Sequence, residues 1–223
     1  MISVLVPSRG RPQIFARMCA SLIKTAHNPV EIMVGLDRDD PKCGNYPLPY
    51  SAKALVDEED GLMALSSWFN FLAAASTGDV LMLANDDLVF RTPGWDTRIY
   101  EALPSDGIGV LYPDDLYEHR CTFPLMSRKH YETLGYIAPP TLAHWYIDPW
   151  IADVAKRVGR LIYLDGVIVE HMHPLAGKAE VDATYRLTSV QSMKLDKARY
   201  DDGRIERDID ATTLRHVIEG GSE

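Results

Sequence analysis

Two short apolar runs bracket a helical segment within the first 36 residues, and this order constrains the fold more than any other feature of the chain. Residues 2–6 (ISVLV) and 31–36 (EIMVGL) are rich in β-branched residues and closed by turn residues, so both read as interior strands. Between them, RPQIFARMCASLIKTAHN offers Pro12 where a helix can start, Ile14, Met18 and Leu22 at helical spacing, and Asn28-Pro29 as a stop. After a polar, Pro-rich loop from Arg38 to Tyr50, residues 61–76 (GLMALSSWFNFLAAAS) read as a second helix and residues 79–84 as a third strand. Strand, helix, strand, helix, strand predicts a parallel sheet covered by helices on both faces. Ligands of such sheets bind beyond the carboxyl ends of the strands. Three polar clusters fall there and are expected to converge: Pro7-Ser8-Arg9, Asp37, and Asn85-Asp86-Asp87.

The second half is less regular. Residues 108–112 read as a strand, 127–134 as a helix and 146–158 as an amphipathic helix. Residues 161–164 and 167–169 read as a hairpin around Asp165-Gly166, because Asp-Gly supplies the two positive-φ positions of a tight turn. Beyond Lys178 the chain is polar, with helices expected over 183–200 and near 211–218, and no internal repeat or low-complexity tract stands out.

Composition removes whole classes of function. No apolar run approaches the roughly 20 residues of a membrane span, so no integral membrane segment is expected. The odd count of three cysteines (Cys19, Cys43, Cys121), without CxxC or Cys/His metal spacing, points to free thiols in a reducing cytoplasm. A formal charge of -9 does not indicate a nucleic-acid partner, although a local basic patch around Arg9, Arg11 and Arg17, or Arg120, Arg128 and Lys129, leaves DNA open. No GxxxxGK[ST] or GxGxxG cradle and no GxSxG nucleophile is present.

Three constellations carry chemistry. Asn85-Asp86-Asp87 follows a buried strand, where carboxylates are costly unless paired or bound to a cation. Mg²⁺ and Mn²⁺ take such oxygen ligands and share them with substrate phosphates, whereas the plain alternative is a turn. In VIVEHMHPLAGK, His171 and His173 alternate on one side of a strand, as metal ligands or as hydrogen-bonded structural residues, and Lys178 is a natural phosphate contact. In HWYIDPWIADVAKR, Asp148 stands at a helix start, either as a dipole-stabilised cap or as a general base, with Trp145, Tyr146 and Trp150 as a stacking wall or as core.

In order, these pieces resemble a GT-A fold glycosyltransferase of the large inverting family with a DxD-type metal motif, in the compact form found in bacteria and their viruses. ISVLVPSRGRP is similar to the family's first strand and Pro-Thr-x-Asn-Arg turn, EIMVGLDRDDP to its second strand with a base-contacting Asp, and LSSWFNFLAAASTGDVLMLANDDLVF to its helix, Gly-Asp and DxD strand. FPLMSRKHYETLGYI resembles the acceptor-side segment, YIDPWIADVAKRVG the acidic helix start and VEHMHP the late histidine, over about residues 2–178. The resemblance implies a single α/β GT-A domain, a Rossmann-like, mostly parallel sheet flanked by helices, over residues 1–178. Residues 1–90 would form its nucleotide-sugar half and 91–178 its acceptor half, with a C-terminal helical flap over 179–223.

By the same resemblance, Pro7, Ser8 and Arg9 line the nucleotide pocket, Asp37 bonds the base and Asp86 faces the donor ribose or sugar. Asp87 would bind Mn²⁺ or Mg²⁺ with His171 or His173, Asp148 would be the base, and Lys178 and Tyr185 would close over the diphosphate. Two departures stand out: Asn85 replaces the first Asp of the DxD, where it can contact a ribose or a water but adds no charge, and Ile147-Asp148 replaces a Glu-Asp pair. The expected activity is sugar transfer from a nucleotide-sugar, a UDP-sugar first, to an acceptor hydroxyl of a polysaccharide, lipid, protein or hydroxymethylated DNA base. A nucleotidyltransferase acting on a sugar phosphate and a non-catalytic nucleotide-sugar binder are the alternatives.

Overall fold

A buried first strand organises the molecule. In the computed structural model, which describes residues 1–58, 63–187 and 190–220, β1 (Ile2–Ser8) pairs in parallel with β2 (Val30–Leu36) on one side and β4 (Val80–Leu83) on the other. Outside β2 lies β3 (Ala52–Val56), also parallel, in a stretch that reads from sequence as polar loop and its continuation. Side chains alternate along β1: Val4 and Val6 join the core cluster on one face, and Leu5 joins the cluster on the other. This two-sided burial explains why the strands read as continuous apolar runs rather than alternating ones.

Helices cover both faces. On one, α1 (Pro12–Thr25) buries Phe15, Met18 and Leu22, and α3 (Trp95–Ala102) buries Trp95 and Ile99. On the other, α2 (Leu65–Ala75) buries Trp68, Phe69 and Leu72, and α5 (Ile147–Arg157) buries Trp150, Ile151 and Val154. The helix expected from residue 61 begins four residues later; Gly61 and Leu62 themselves lie outside the described residues. Asp96, buried at the start of α3, accepts the backbone N–H groups of His27 and Asn28 and so ties α3 to the α1–β2 turn.

The second half extends the sheet with mixed pairing. β7 (Leu125–Ser127) runs antiparallel to β4 and to β6 (Val110–Asp114), and β6 is parallel to β8 (Leu161–His171), whose far end pairs antiparallel with β5 (Leu88–Phe90). The full order is β3-β2-β1-β4-β7-β6-β8-β5. Residues 161–171 therefore do not form the hairpin that Asp165-Gly166 suggests; they form one kinked strand. Both halves of it pair with β6, as Leu111↔Ile162 and Asp114↔Ile168, with a register shift between. Gly166 sits at the kink with φ +72°, and its carbonyl accepts hydrogen bonds from Arg98 and Thr92. The long-range pairing overrides the local turn preference.

The C-terminal segment is helical: α6 (Ala183–Leu187), α7 (Val190–Asp202) and α8 (Arg204–Gly220), preceded by α4 (Arg128–Leu134) in chain order. The single helix expected over 183–200 thus corresponds to two, with residues 188–189 outside the described residues. Leu214 of α8 enters the core cluster that contains α5. Arg207 lies over the rings of Trp150 and Tyr200, 4.7 and 4.1 Å from their centroids, and pairs with Asp153 at 2.7 Å. Among the described residues no helix is long and apolar enough to cross a membrane.

Candidate active site

The carboxyl ends of β1, β2 and β4 open into one cavity of about 490 Å³. Pro7, Ser8, Arg9, Asp37, Asn85, Asp86 and Asp87 line it from those ends, Asp148 from α5, His171 and His173 from the end of β8, and Tyr185 from α6. Sequence-expected residues separated by as much as 178 positions thus share one space. Lys178 does not line it: its Nζ is 3.0 Å from Glu170 Oε1 and donates to the Leu116 carbonyl at 3.1 Å.

The wall formed by the strand ends carries two sets of hydrogen bonds. Ser8 Oγ donates to Asp86 Oδ2 at 2.5 Å and shares a 3.0 Å hydrogen bond with the Tyr46 hydroxyl. Asp86 Oδ1 accepts from Arg11 Nη1 at 3.2 Å. Burial raises the Asp86 carboxyl above the usual range; the Arg11 guanidinium opposes that shift, and the Asp87 charge adds to it. Asp37, also buried, accepts from Trp68 Nε1 at 3.1 Å and from Arg9 Nη1 at 3.0 Å. Arg9 in turn reaches Asp39 at 2.5 Å. Trp68 reaches Asp37 because Gly35 leaves room for its ring: a Cβ there would lie 2.4 Å from Trp68 Cε3.

Asp87 and His171 form the corner best suited to a cation. Asp87 Oδ1 and His171 Nε2 lie 3.4 Å apart, both buried, and among the described residues neither has a hydrogen-bond partner, nor does His171 Nδ1. Buried polar atoms in that condition cost free energy, and a divalent cation would satisfy an anionic oxygen and an imidazole nitrogen together. The residues present therefore fit the metal ion the sequence suggests. Burial works to raise the Asp87 carboxyl, but His171, Arg11 and the Tyr185 hydroxyl, which donates to Oδ2 at 3.2 Å, outweigh it and hold the group low. His173 is differently engaged: its Nδ1 accepts from the Leu175 N–H, and its ring stacks on Tyr117 at 4.9 Å.

A second acidic group lies nearby in sequence order, where Asp114, Asp115 and His119 bring one potential ligand atom each within 4.8 Å of one another. The Asp115 carboxylate there accepts the backbone N–H groups of Tyr117, Glu118 and His119 and the Thr122 hydroxyl. Those donors shape the 115–122 loop, in which Leu116 and His119 take positive φ, and carry Tyr117, Glu118, Arg120 and Thr122 to the cavity wall.

Asp148, which lines the same cavity, occupies the first turn of α5, directly after Ile147 and the left-handed Tyr146 (φ 65°). Burial pushes its carboxyl up to about 7, with Arg120 pulling the other way. A carboxyl in that range exchanges a proton near neutral pH, as a general base requires. The loop before it is fixed from both sides. Buried Asp196 of α7 accepts the N–H groups of Ala143, His144 and Trp145 at 3.1, 2.8 and 3.0 Å, and the Ala143 carbonyl accepts from Ser66 N of α2.

Arg11, Trp68 and Arg120 are site residues the sequence reading did not assign. In the sequence Arg11 and Arg120 stand out only as members of candidate basic patches. Pro12 at the first helical position, immediately after Arg11, was the available signal, because it fixes where the strand turns into α1.

No family model matches the sequence, and no curated protein matches it. Solved structures do. The mannosyltransferase PcManGT from Pyrobaculum calidifontis, in complex with GDP-Man and Mn²⁺, aligns over 97% of this chain and 84% of its own, with TM-score 0.61 and 11% identity. S. aureus TarS 1-349 in complex with UDP-GlcNAc aligns over 97% of this chain and 71% of its own, with TM-score 0.60 and 13% identity. Against a longer TarS structure the match covers 76% of this chain and 36% of that one, with TM-score 0.57 and 12% identity. A mixed sheet in the order found here, helices on both faces, and agreement with these structures over almost the whole length make the fold of this chain that of the GT-A glycosyltransferases.

Proposed function

We propose that the chain is a metal-dependent glycosyltransferase that moves a sugar from a nucleotide-sugar to an acceptor hydroxyl. The observation that carries this reading is one cavity lined both by a cation-ready pair, Asp87 and His171, and by a carboxyl of raised pKa, Asp148. In this reading Asp37, which Arg9 and Trp68 hold, would contact the base, and Asp86, which Ser8 and Arg11 hold, would contact the donor ribose or sugar. Asp87 and His171 would hold Mn²⁺ or Mg²⁺, which when bound supplies positive charge beside the leaving diphosphate. Asp148 accepts the proton of the acceptor hydroxyl as that oxygen attacks the anomeric carbon, and direct displacement inverts the centre.

The matched structures hold GDP-Man in one case and UDP-GlcNAc in another, so uridine and guanosine donors are both candidates. The three cysteines are free, which supports placing the reaction in a reducing compartment such as the cytoplasm. The test is nucleoside diphosphate release from UDP- and GDP-sugars with Mn²⁺. The wild type should release it, and Asp148→Asn should lose at least about 100-fold in rate. Equal rates in the two proteins, or pyrophosphate release from a nucleoside triphosphate and a sugar phosphate instead, would contradict the proposal.

A further inference from the structure

We propose that Arg11 is a ligand of the donor diphosphate, and that Asp182 occupies Arg11 as an intramolecular stand-in for that anion. The inference rests on the nucleotide-sugar reading above and adds to it a residue and a competition. Arg11 stands at the start of α1 with its side chain 9% exposed. Its Nε and Nη2 each meet an oxygen of Asp182 at 2.7 Å, a bidentate grip, while Nη1 donates to Asp86 at 3.2 Å and lies 4.0 Å from Asp87.

The two edges of this guanidinium differ in what holds them. The Nη1 edge is fixed by Asp86, itself fixed by Ser8 at the end of the sheet. The other edge is held by a carboxylate 171 residues further along the chain, whose side chain is 35% exposed. A planar fork that binds a carboxylate in two-point fashion binds a phosphate in the same way. Among the described residues, the arginines lining the cavity are Arg9, Arg11 and Arg120, and no lysine lines it. Arg9 is committed to Asp37 and Asp39. Arg120 pairs with Glu118 on the wall near Asp148. Arg11 is thus the cation beside the Asp86–Asp87 corner.

The segment carrying Asp182 reaches that corner through two further side chains. Thr184 Oγ1 donates to the Arg9 carbonyl at 2.8 Å, and the Tyr185 hydroxyl donates to Asp87 Oδ2 at 3.2 Å while its ring lies 4.7 Å from the Arg11 guanidinium carbon. The Asp182 and Tyr185 contacts engage Arg11 and Asp87, groups that the diphosphate and metal would use, so donor binding and this strap compete. A strap that closes the site scales apparent affinity by the fraction of molecules it leaves open.

Isothermal titration calorimetry of UDP and of GDP, each with Mn²⁺, on the full chain tests the competition. Asp182→Asn should bind about tenfold more tightly than wild type, and Arg11→Met at least about tenfold more weakly. Should Arg11→Met not fold, Asp182→Asn still decides, because it changes one partly exposed carboxylate. Wild-type binding with no tightening in Asp182→Asn overturns this inference and leaves the donor reading intact. Binding by Asp182→Asn alone supports it. Absence of binding in both proteins overturns both.

Discussion

Asp148 carries opposite consequences for stability and for chemistry. Its carboxyl is raised to about 7 by burial, so the native state binds this proton more tightly than the unfolded chain, whose value is near 4. Between those values the native state holds more protons, and stability falls as pH rises through the window. On the proposed function the ionised form is also the one that accepts a proton from the acceptor, so activity should rise over the same range. Asp148→Asn removes the ionisation and should be more stable than wild type by about 2 to 4 kcal/mol at pH 8. The difference should close by pH 4. Thermal unfolding at the two pH values measures it, and a less stable variant at pH 8 would contradict the burial argument.

Residues placed directly after strands were legible because a parallel sheet sends its carboxyl ends to one edge whatever the details of packing. Ser8, Asp37, Asp86 and Asp87 follow from that rule alone. Arg11 did not, because its role is set by Asp182, 171 residues away, and by a turn whose geometry no local motif encodes. Lys178 was placed by chemistry without topology: it follows the end of β8, but Glu170 and the Leu116 carbonyl hold it outside the cavity. Nothing in the sequence distinguished His171 from His173; the orphaned nitrogens of one and the Tyr117 stacking and backbone contact of the other do.

At the scale of elements, β1, β2 and β4 were readable from apolar runs, since strands covered on both faces have no polar side to disguise them. The three-residue strands β5 and β7 were not, being too short for any periodicity. β8 was misread because Asp165-Gly166 carries a strong local turn signal that pairing with β6 overrules. Packing between elements also reaches the site. Gly35 of β2 lies against the Trp68 ring of α2, and Trp68 in turn donates to Asp37. Gly35→Ala should therefore cost about 1 to 3 kcal/mol by overpacking, seen as a lower urea midpoint. It should also weaken UDP or GDP binding in the folded fraction, because displacing the indole removes a donor from Asp37. A destabilised variant with unchanged nucleotide affinity would separate Trp68 from the site.

Across the whole molecule, the C-terminal helices are part of the site's construction. Asp196 fixes the loop that leads to Asp148, Leu214 fills the core beside α5, and the Asp182–Tyr185 strap lies over the Asp86–Asp87 corner. On the proposed function the sheet supplies the donor-binding groups and α5 the base, and β8 brings His171 back beside β5, which follows Asp87 immediately in the chain. The topology thus closes the proposed metal corner between residues 84 positions apart. The most direct test is an anomalous difference map at the manganese edge from crystals grown with Mn²⁺ and a nucleoside diphosphate. One strong peak beside the Asp87 and His171 side chains is expected. A peak at Asp114, Asp115 and His119 instead, or bound nucleotide with no manganese at Asp87, would contradict that expectation.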